Sequence, residues 1–266
     1  RDWAGLLQPL DYQQYAPPGY LALVKGATRL LGNGEYGLRL VALLSGIGLL
    51  LLVAALSRQL IRRPWPRLLP LFLIAFSYDM VRFGTENKQY AFDAVCTALL
   101  VWLALRRPPR LLDRRGLVGW ALIGAAAVWC SMPAAFTLAG VGLYYALGVW
   151  RVRDFRKLGG LLAVATAWLL SFGLYYRQLL QPEIKSDYLN DYHQAYFLPL
   201  WPQAAADWQQ LGALLLSLLR TAAGATAAAY LVAGAALLWG LRVQGSRSLP
   251  VLLLLALPVL CCLLAS

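Results

Sequence analysis

Charge is scarce in this chain. Asp, Glu, Lys and Arg make up 14% of its 266 residues against 60% hydrophobic ones, and the mean hydropathy is +0.59. A soluble domain of that balance would expose far too much apolar surface, so a soluble fold is excluded. Alternation is missing as well: the apolar runs are continuous, without the period of two that an outer-membrane barrel needs. There is no GxGxxG-type loop to cradle a nucleotide phosphate, no CxxC pair and no internal repeat or low-complexity linker. The one histidine, His193, reads either as a solvated loop residue or as a catalytic one. The cysteines Cys96, Cys130, Cys261 and Cys262 lie in apolar runs with no histidine at ligand spacing. They read as small buried hydrophobes and imply neither disulfide nor metal.

What is present is a series of apolar runs approaching the roughly 20 residues that span hydrocarbon as helix. The expected class is therefore all-α, a polytopic transmembrane bundle. In order, the spans are Leu38–Leu60, Leu68–Val81 (short, ending at a charged stretch), Ala91–Leu105, Leu117–Cys130, Pro133–Trp150, Leu158–Tyr176, Thr226–Leu241 and Leu249–Ala265. Ser131-Met132-Pro133 divides the fourth from the fifth, because proline punctuates helices. Leu211–Leu219 is too short to cross alone and is expected at the interface. About eight spans result.

Basic residues orient them. The loops 57–67, 106–116, 151–157 and 242–248 hold 15 of the 24 Lys and Arg residues and, of the twelve acids, only Asp113 and Asp154. Alternate threading puts all four loops on one side, which the positive-inside rule makes cytoplasmic. Segments 1–37, 82–90 and 177–208 then face the exterior, with the remaining acids in or beside them. The net charge of +12 is thus a topology signal that sits well against anionic lipid, and nucleic acid is not an expected partner. The chain begins at Arg1 without initiator Met or signal peptide and stops in an apolar run. It reads as one membrane domain, 1–266, cut at both ends, with 1–37 the first outer loop and 177–208 the second.

The stretch from Ser77 to Asp93 sets Asp79, Arg82, Glu86, Lys88 and Asp93 between two such spans. Charge within a span costs roughly 2.5–3.5 kcal/mol on insertion scales, so it is kept mostly where it binds or reacts. A helix starting at Glu86 would place Glu86, Tyr90, Asp93 and Thr97 on one stripe, with Gln89 beside it. That stripe is either a polar seam between helices or the lining of an outward-opening cavity.

The outer loops add candidates. After Gln13-Gln14-Tyr15-Ala16, Pro17-Pro18 starts a short amphipathic helix over Gly19–Leu31, ended by Gly32-Asn33-Gly34. Arg39 lies just inside the outer boundary, where it either snorkels to headgroups or meets an anionic ligand. The segment Gln181–Pro202 mixes Asp187, Tyr188, Asp191, Tyr192, His193, Phe197 and Trp201. Sugar-facing surfaces have that composition, and so does an interfacial aromatic belt.

Three elements together, Ala16-Pro17-Pro18, Gly32-Asn33-Gly34-Glu35-Tyr36-Gly37-Leu38-Arg39-Leu40 and Glu86-Asn87-Lys88-Gln89-Tyr90-Ala91-Phe92-Asp93, have a familiar order. The chain resembles the bacterial integral-membrane glycosyltransferases of the C-type fold, in the protein O-mannosyltransferase and aminoarabinose-transferase superfamily. Asp187-Tyr188-Leu189-Asn190-Asp191-Tyr192 also looks like a loop of bacterial members. The resemblance implies an enzyme of the inner or plasma membrane with its active face extracytoplasmic. It would move a hexosyl or pentosyl group from a polyprenyl-phosphate-linked donor to a lipid, glycan or protein acceptor. The family's catalytic acid would precede Arg1, so the general base is unassigned and these 266 residues alone are expected to be inactive. Glu86 and Asp93 become supporting carboxylates, Arg39 and Lys88 donor-phosphate ligands, and Gln14, Tyr90, Asp187, Tyr188, Asp191 and Tyr192 substrate-binding candidates. No cofactor is fixed by these residues; a divalent cation is compatible with them. The competing expectation is a transporter or flippase of lipid or small solute, since polar intramembrane stripes serve transport too.

Overall fold

The computed structural model describes residues 3–8, 15–109, 112–181, 204–223, 251, 254 and 255. All regular elements among them are helical. Nine longer helices follow one another: α1 (Pro18–Leu31), α2 (Glu35–Leu60), α3 (Leu68–Ala75), α4 (Tyr78–Thr85), α5 (Tyr90–Arg106), α6 (Arg114–Cys130), α7 (Ala134–Val152), α8 (Phe155–Tyr175) and α9 (Ala205–Ala223). Short 3-10 turns occupy Ala4–Leu7 and Trp65–Arg67, and α8 runs on through a wide π turn, Tyr176–Leu180.

Local chemistry sets the boundaries. Pro18 opens α1 at the position where a missing N–H costs nothing, and Gly32, at φ +83°, ends it in a conformation that glycine adopts without strain. Asp113 caps α6 by accepting the Gly116 N–H at 2.8 Å, and Ser77 caps α4 by accepting from Met80 N. The Ser131–Pro133 turn separates α6 from α7 as the proline predicts. Arg153, left-handed at φ 54°, turns the chain after α7 and returns its N–H to Trp150 O at 3.0 Å.

Three described helices are long and apolar enough to cross a bilayer: Glu35–Leu60, Ala134–Val152 and Phe155–Leu180. A fourth crossing results if α3 and α4, bent by 57° at their break, count together with Trp65–Arg67 as one. Such helices are what a membrane protein requires. Helices α5 and α6, at 17 residues each, are about 26 Å long, just short of the hydrocarbon thickness. The expected eight spans therefore reduce to three or four among the described residues. Thr226–Leu241 and nearly all of Leu249–Ala265 lie outside them.

Three expected boundaries are corrected. The Leu68–Val81 run breaks earlier than its charges, at Phe76-Ser77, because the Ser77 hydroxyl starts a new helix there. The outer loop 177–208 is shorter at both ends, since α8 continues to Leu180 and α9 begins at Ala205. The expected Leu211–Leu219 segment is the middle of α9, which has 19 residues but is not among the helices apolar enough to cross.

Helix α2 packs along α5 and against α1 and α4, while α6 packs along α8, with α7 against α5 and α8. Small residues permit the close approaches: Gly46 of α2 faces Gly84 of α4, and Gly124 of α6 leaves the space that the Trp168 indole fills. The core lies between α5, α6, α7 and α8 and includes Leu100, Trp120, Val141, Tyr145, Trp168 and Leu254. A buried relay ties it together. Trp168 Nε1–H donates to Trp120 O at 2.8 Å, Trp120 Nε1–H to the Tyr145 hydroxyl at 3.0 Å, and that hydroxyl to Arg107 O at 2.8 Å. Each bond satisfies a polar group that burial would otherwise strand. The relay lies toward the arginine-rich ends of these helices and leaves the opposite ends to a different polar cluster.

Candidate functional site: a polar cluster at the ends of α1, α5, α6, α7 and α8

At the end away from the arginines, the start of α1 inserts between α5 and the α6–α7 turn. Gln89 Nε2 donates to Tyr15 O at 3.2 Å, and the Tyr20 hydroxyl donates to Asn87 Oδ1 at 3.1 Å. Tyr20 is almost fully buried, its ring 5.7 Å from that of Phe92. Gly19 touches the end of α6 at Trp129 and Cys130. The residues flanking Ala16-Pro17-Pro18, Tyr15 and Tyr20, are thereby bonded to the Glu86–Asp93 element. The remaining element of the resemblance, Gly32–Leu40, forms the turn between α1 and α2, where Gly37 packs against Gly32 O.

Four buried side-chain oxygens among the described residues have no hydrogen-bond partner: Tyr15 Oη, Asp93 Oδ1, Ser131 Oγ and Tyr175 Oη. Ser131 and Tyr175 are 0% and 1% exposed. Ser131 is close enough to act on the Asp93 carboxylate, yet no bond of sound geometry reaches Ser131 Oγ or Asp93 Oδ1. Deeper along the same helices, the hydroxyls of Thr97 and Thr137 pair at 3.3 Å. Tyr175 stacks edge-on against Trp129, with ring centroids 5.5 Å apart. Buried polar groups are nearly always paired, and each unpaired one costs about 1–3 kcal/mol. Asp93 and Ser131, neighbours that each carry an unpaired oxygen, mark a place able to receive a polar partner. The Asp93 charge is felt at Tyr20: burial first, and then that charge, push the Tyr20 phenol up to about 12.

The expected residues divide. Asp93 lies in the cluster. Glu86 does not begin a helix; it closes α4, and helix resumes only at Tyr90. The expected single stripe through Glu86, Tyr90, Asp93 and Thr97 therefore breaks at its first member. The reason is local: Arg82, four residues back, donates Nε–H to Glu86 Oε1 at 2.7 Å and draws the carboxylate to its own exposed face. Tyr90 is half exposed and sets its ring against Phe83 at 4.7 Å. Arg39 forms a loose pair with Glu35 at 3.5 Å, both side chains at least half exposed. Lys88 is exposed and has no ion-pair partner among the described residues. Gln14, Asp187, Tyr188, Asp191 and Tyr192 lie outside the described residues. Among the described residues no three His, Cys, Asp or Glu side chains converge on a metal position; Cys96 and Cys130 are free thiols.

Ser131, Tyr15, Tyr20 and Tyr175 were not among the candidates. Ser131 sits two residues before a proline and reads as turn punctuation. Only the folding of α6 and α7 onto α5 brings it, 38 residues away in sequence, to Asp93. No known protein family, no curated protein and no solved structure matches the chain.

Proposed function

We propose that this chain belongs to a membrane glycosyltransferase, which moves a sugar from a polyprenyl-phosphate-linked donor to a hydroxyl acceptor on the extracytoplasmic face. The observation that carries the reading is the pair at Asp93: a carboxylate oxygen and the neighbouring Ser131 hydroxyl, both buried and unpartnered, at the end opposite the arginine-rich loops. A pyranose or furanose presents several hydroxyls, each both donor and acceptor, and such a ligand matches that pair. The motif segments that resemble the C-type enzymes meet at the same end.

In this reading the lipid donor enters sideways between helices, and its phosphate lies at the outer boundary beside exposed Lys88 and Arg39. The acceptor oxygen loses its proton to a base, forms the new bond to the anomeric carbon, and the C–O bond to phosphate breaks. Polyprenyl phosphate leaves with the electron pair. Asp93 orients sugar hydroxyls by accepting from them, which raises the fraction of time the reacting atoms are aligned. Glu86, already engaged by Arg82, has a lesser part, and neither carboxylate is assigned the base.

One observation favours the transporter alternative: the 57° break between α3 and α4 resembles the discontinuous helices on which transporters build binding sites. Transfer of label from a radiolabelled polyprenyl-phosphate sugar by the full-length protein in membranes distinguishes the two. The enzyme reading expects a covalent labelled product, and an Asp93→Asn protein that accumulates normally but transfers at least about tenfold more slowly, the effect of 1.4 kcal/mol. Movement of label across vesicles without a covalent product would favour transport. Wild-type rates in both Asp93→Asn and Glu86→Gln would reduce the cluster to a packing seam.

A further inference from the structure

At the arginine-rich end, between α5 and α6, there is a cavity of about 720 Å³ lined by Trp102, Leu103, Arg106, Arg107, Arg115, Gly116, Gly119, Trp120 and Ile123. Three arginines are among the residues that line it, and among the described residues none of the three forms an ion pair. Arg106 lies over the Trp102 ring at 4.8 Å, a contact that fixes its direction without neutralising it. Asp113, the acid at this end of α6, is occupied in capping Gly116 N. Arg107 Nη1 comes within 3.6 Å of where a Gly116 Cβ would stand, while a Cβ at Gly119 would meet nothing within 4 Å. Gly119 thus faces open space, which a larger side chain could occupy. Leu103, Trp120 and Ile123 give the cavity an apolar side, and Ile123 is exposed on α6, as are Val118 and Leu122 of the same helix.

We propose that this cavity binds one anionic glycerophospholipid of the leaflet on the arginine-rich side, with the phosphodiester among Arg106, Arg107 and Arg115 and the first acyl carbons along Leu103 and Ile123. The chemistry asks for both halves. Guanidinium forks match phosphate oxygens, and three arginines without ion pairs select negative charge. The apolar side, with Ile123 exposed on α6, selects a ligand with a hydrocarbon tail, which free phosphate lacks. Basic pockets between membrane helices on the cytoplasmic side are suited to such headgroups. The inference is independent of the glycosyl-transfer reading and concerns the opposite end of the molecule.

The test uses the full-length protein in nanodiscs of phosphatidylcholine, with and without phosphatidylglycerol, read by thermal unfolding and by lipid retained in native mass spectra. Phosphatidylglycerol should raise the unfolding temperature and remain bound, weakening about fivefold for each arginine removed. The variant Arg106→Gln/Arg107→Gln/Arg115→Gln should lose most of the shift. Gly119→Leu keeps every charge, suits a helix better and fills the space, so it should lose the shift as well; it decides the matter if the triple variant does not fold. The control Arg58→Gln/Arg62→Gln/Arg63→Gln removes equal charge from another loop and should keep the shift. No shift with phosphatidylglycerol, an equal loss in the control, an unaltered shift in Gly119→Leu, or the same shift from inorganic phosphate in phosphatidylcholine would each overturn the proposal.

Discussion

Gly19 meets Cys130 with no room for a side chain: a Cβ on Gly19 would lie 2.6 Å from Cys130 Sγ and 2.9 Å from its Cα. The second distance matters more, because a backbone atom cannot swing aside. This contact presses the first turn of α1 onto the end of α6, next to Ser131, and so closes one side of the polar cluster.

Gly19→Ala should therefore destabilise the protein by about 1–3 kcal/mol, the usual cost of overpacking. Gly26→Ala, on the same helix, is the control. Nothing lies within 4 Å of a Cβ there, and alanine in a helix interior gains roughly 0.5–1 kcal/mol over glycine. Fluorescence-detected thermal unfolding in detergent should move down for the first and stay level or rise for the second. Equal behaviour would mean that α1 does not pack on α6 as described.

Much of this arrangement was legible in the sequence, and what failed had a physical cause. The start of α1 at Pro18, its end at Gly32 and the α6–α7 turn at Ser131-Met132-Pro133 all rest on residues whose backbone limits are local. The polar character of Asp93 was legible from its position just inside a helix that is otherwise apolar. The helix start at Glu86 was misplaced because Arg82 and Glu86, four apart, stabilise the preceding helix, a pairing visible in the sequence but outweighed by the attraction of a single long stripe. Ser131 could not be found by spacing, since its relation to Asp93 depends on how α6 and α7 dock on α5. The Trp102–Arg106 pair was visible as an i,i+4 contact, but the cavity beneath it depends on where α6 crosses α5.

The topology has a direct check. On a background with the native cysteines replaced by alanine, Asn33→Cys and Lys88→Cys should react with an impermeant maleimide in cells whose outer barrier is opened. Arg153→Cys should not. Both Asn33 and Arg153 are exposed in the fold, so access to the reagent depends on the side of the membrane alone. Uniform labelling of all three would reject the orientation drawn from the arginine-rich loops.

The proposed function assigns the donor phosphate to Arg39 and Lys88. The Arg39–Glu35 pair is long and solvated, and a pair of that kind contributes at most about 1 kcal/mol, so Glu35 does not hold Arg39 strongly. Arg39→Ala or Lys88→Ala should weaken donor use by about 1.5 kcal/mol, the size of one charge-assisted bond, read as a rise of roughly tenfold in the donor concentration for half-maximal transfer. Glu35→Gln separates this from a packing effect. It frees Arg39 and should leave donor use unchanged or improved. Wild-type donor use in both alanine variants would place the phosphate elsewhere.

The unpartnered hydroxyls allow stability and function to be pulled apart. Ser131 Oγ and Tyr175 Oη are buried without a hydrogen bond, so deleting either removes a liability, whereas deleting a bonded hydroxyl would remove a support. Ser131→Ala and Tyr175→Phe should thus leave the unfolding temperature level or raise it, by up to the about 1–3 kcal/mol that an unsatisfied buried group costs. Thr137→Val, which cuts the Thr97–Thr137 pair and the bond from Thr137 Oγ1 to Pro133 O, should lower it. If the two orphan hydroxyls face the sugar, both variants should lose transfer about tenfold, one good hydrogen bond's worth at 1.4 kcal/mol, while their stability holds. That combination has no packing explanation, because a packing defect lowers stability first. Unchanged transfer in both would assign the Ser131 and Tyr175 hydroxyls to internal water and take them out of the substrate site.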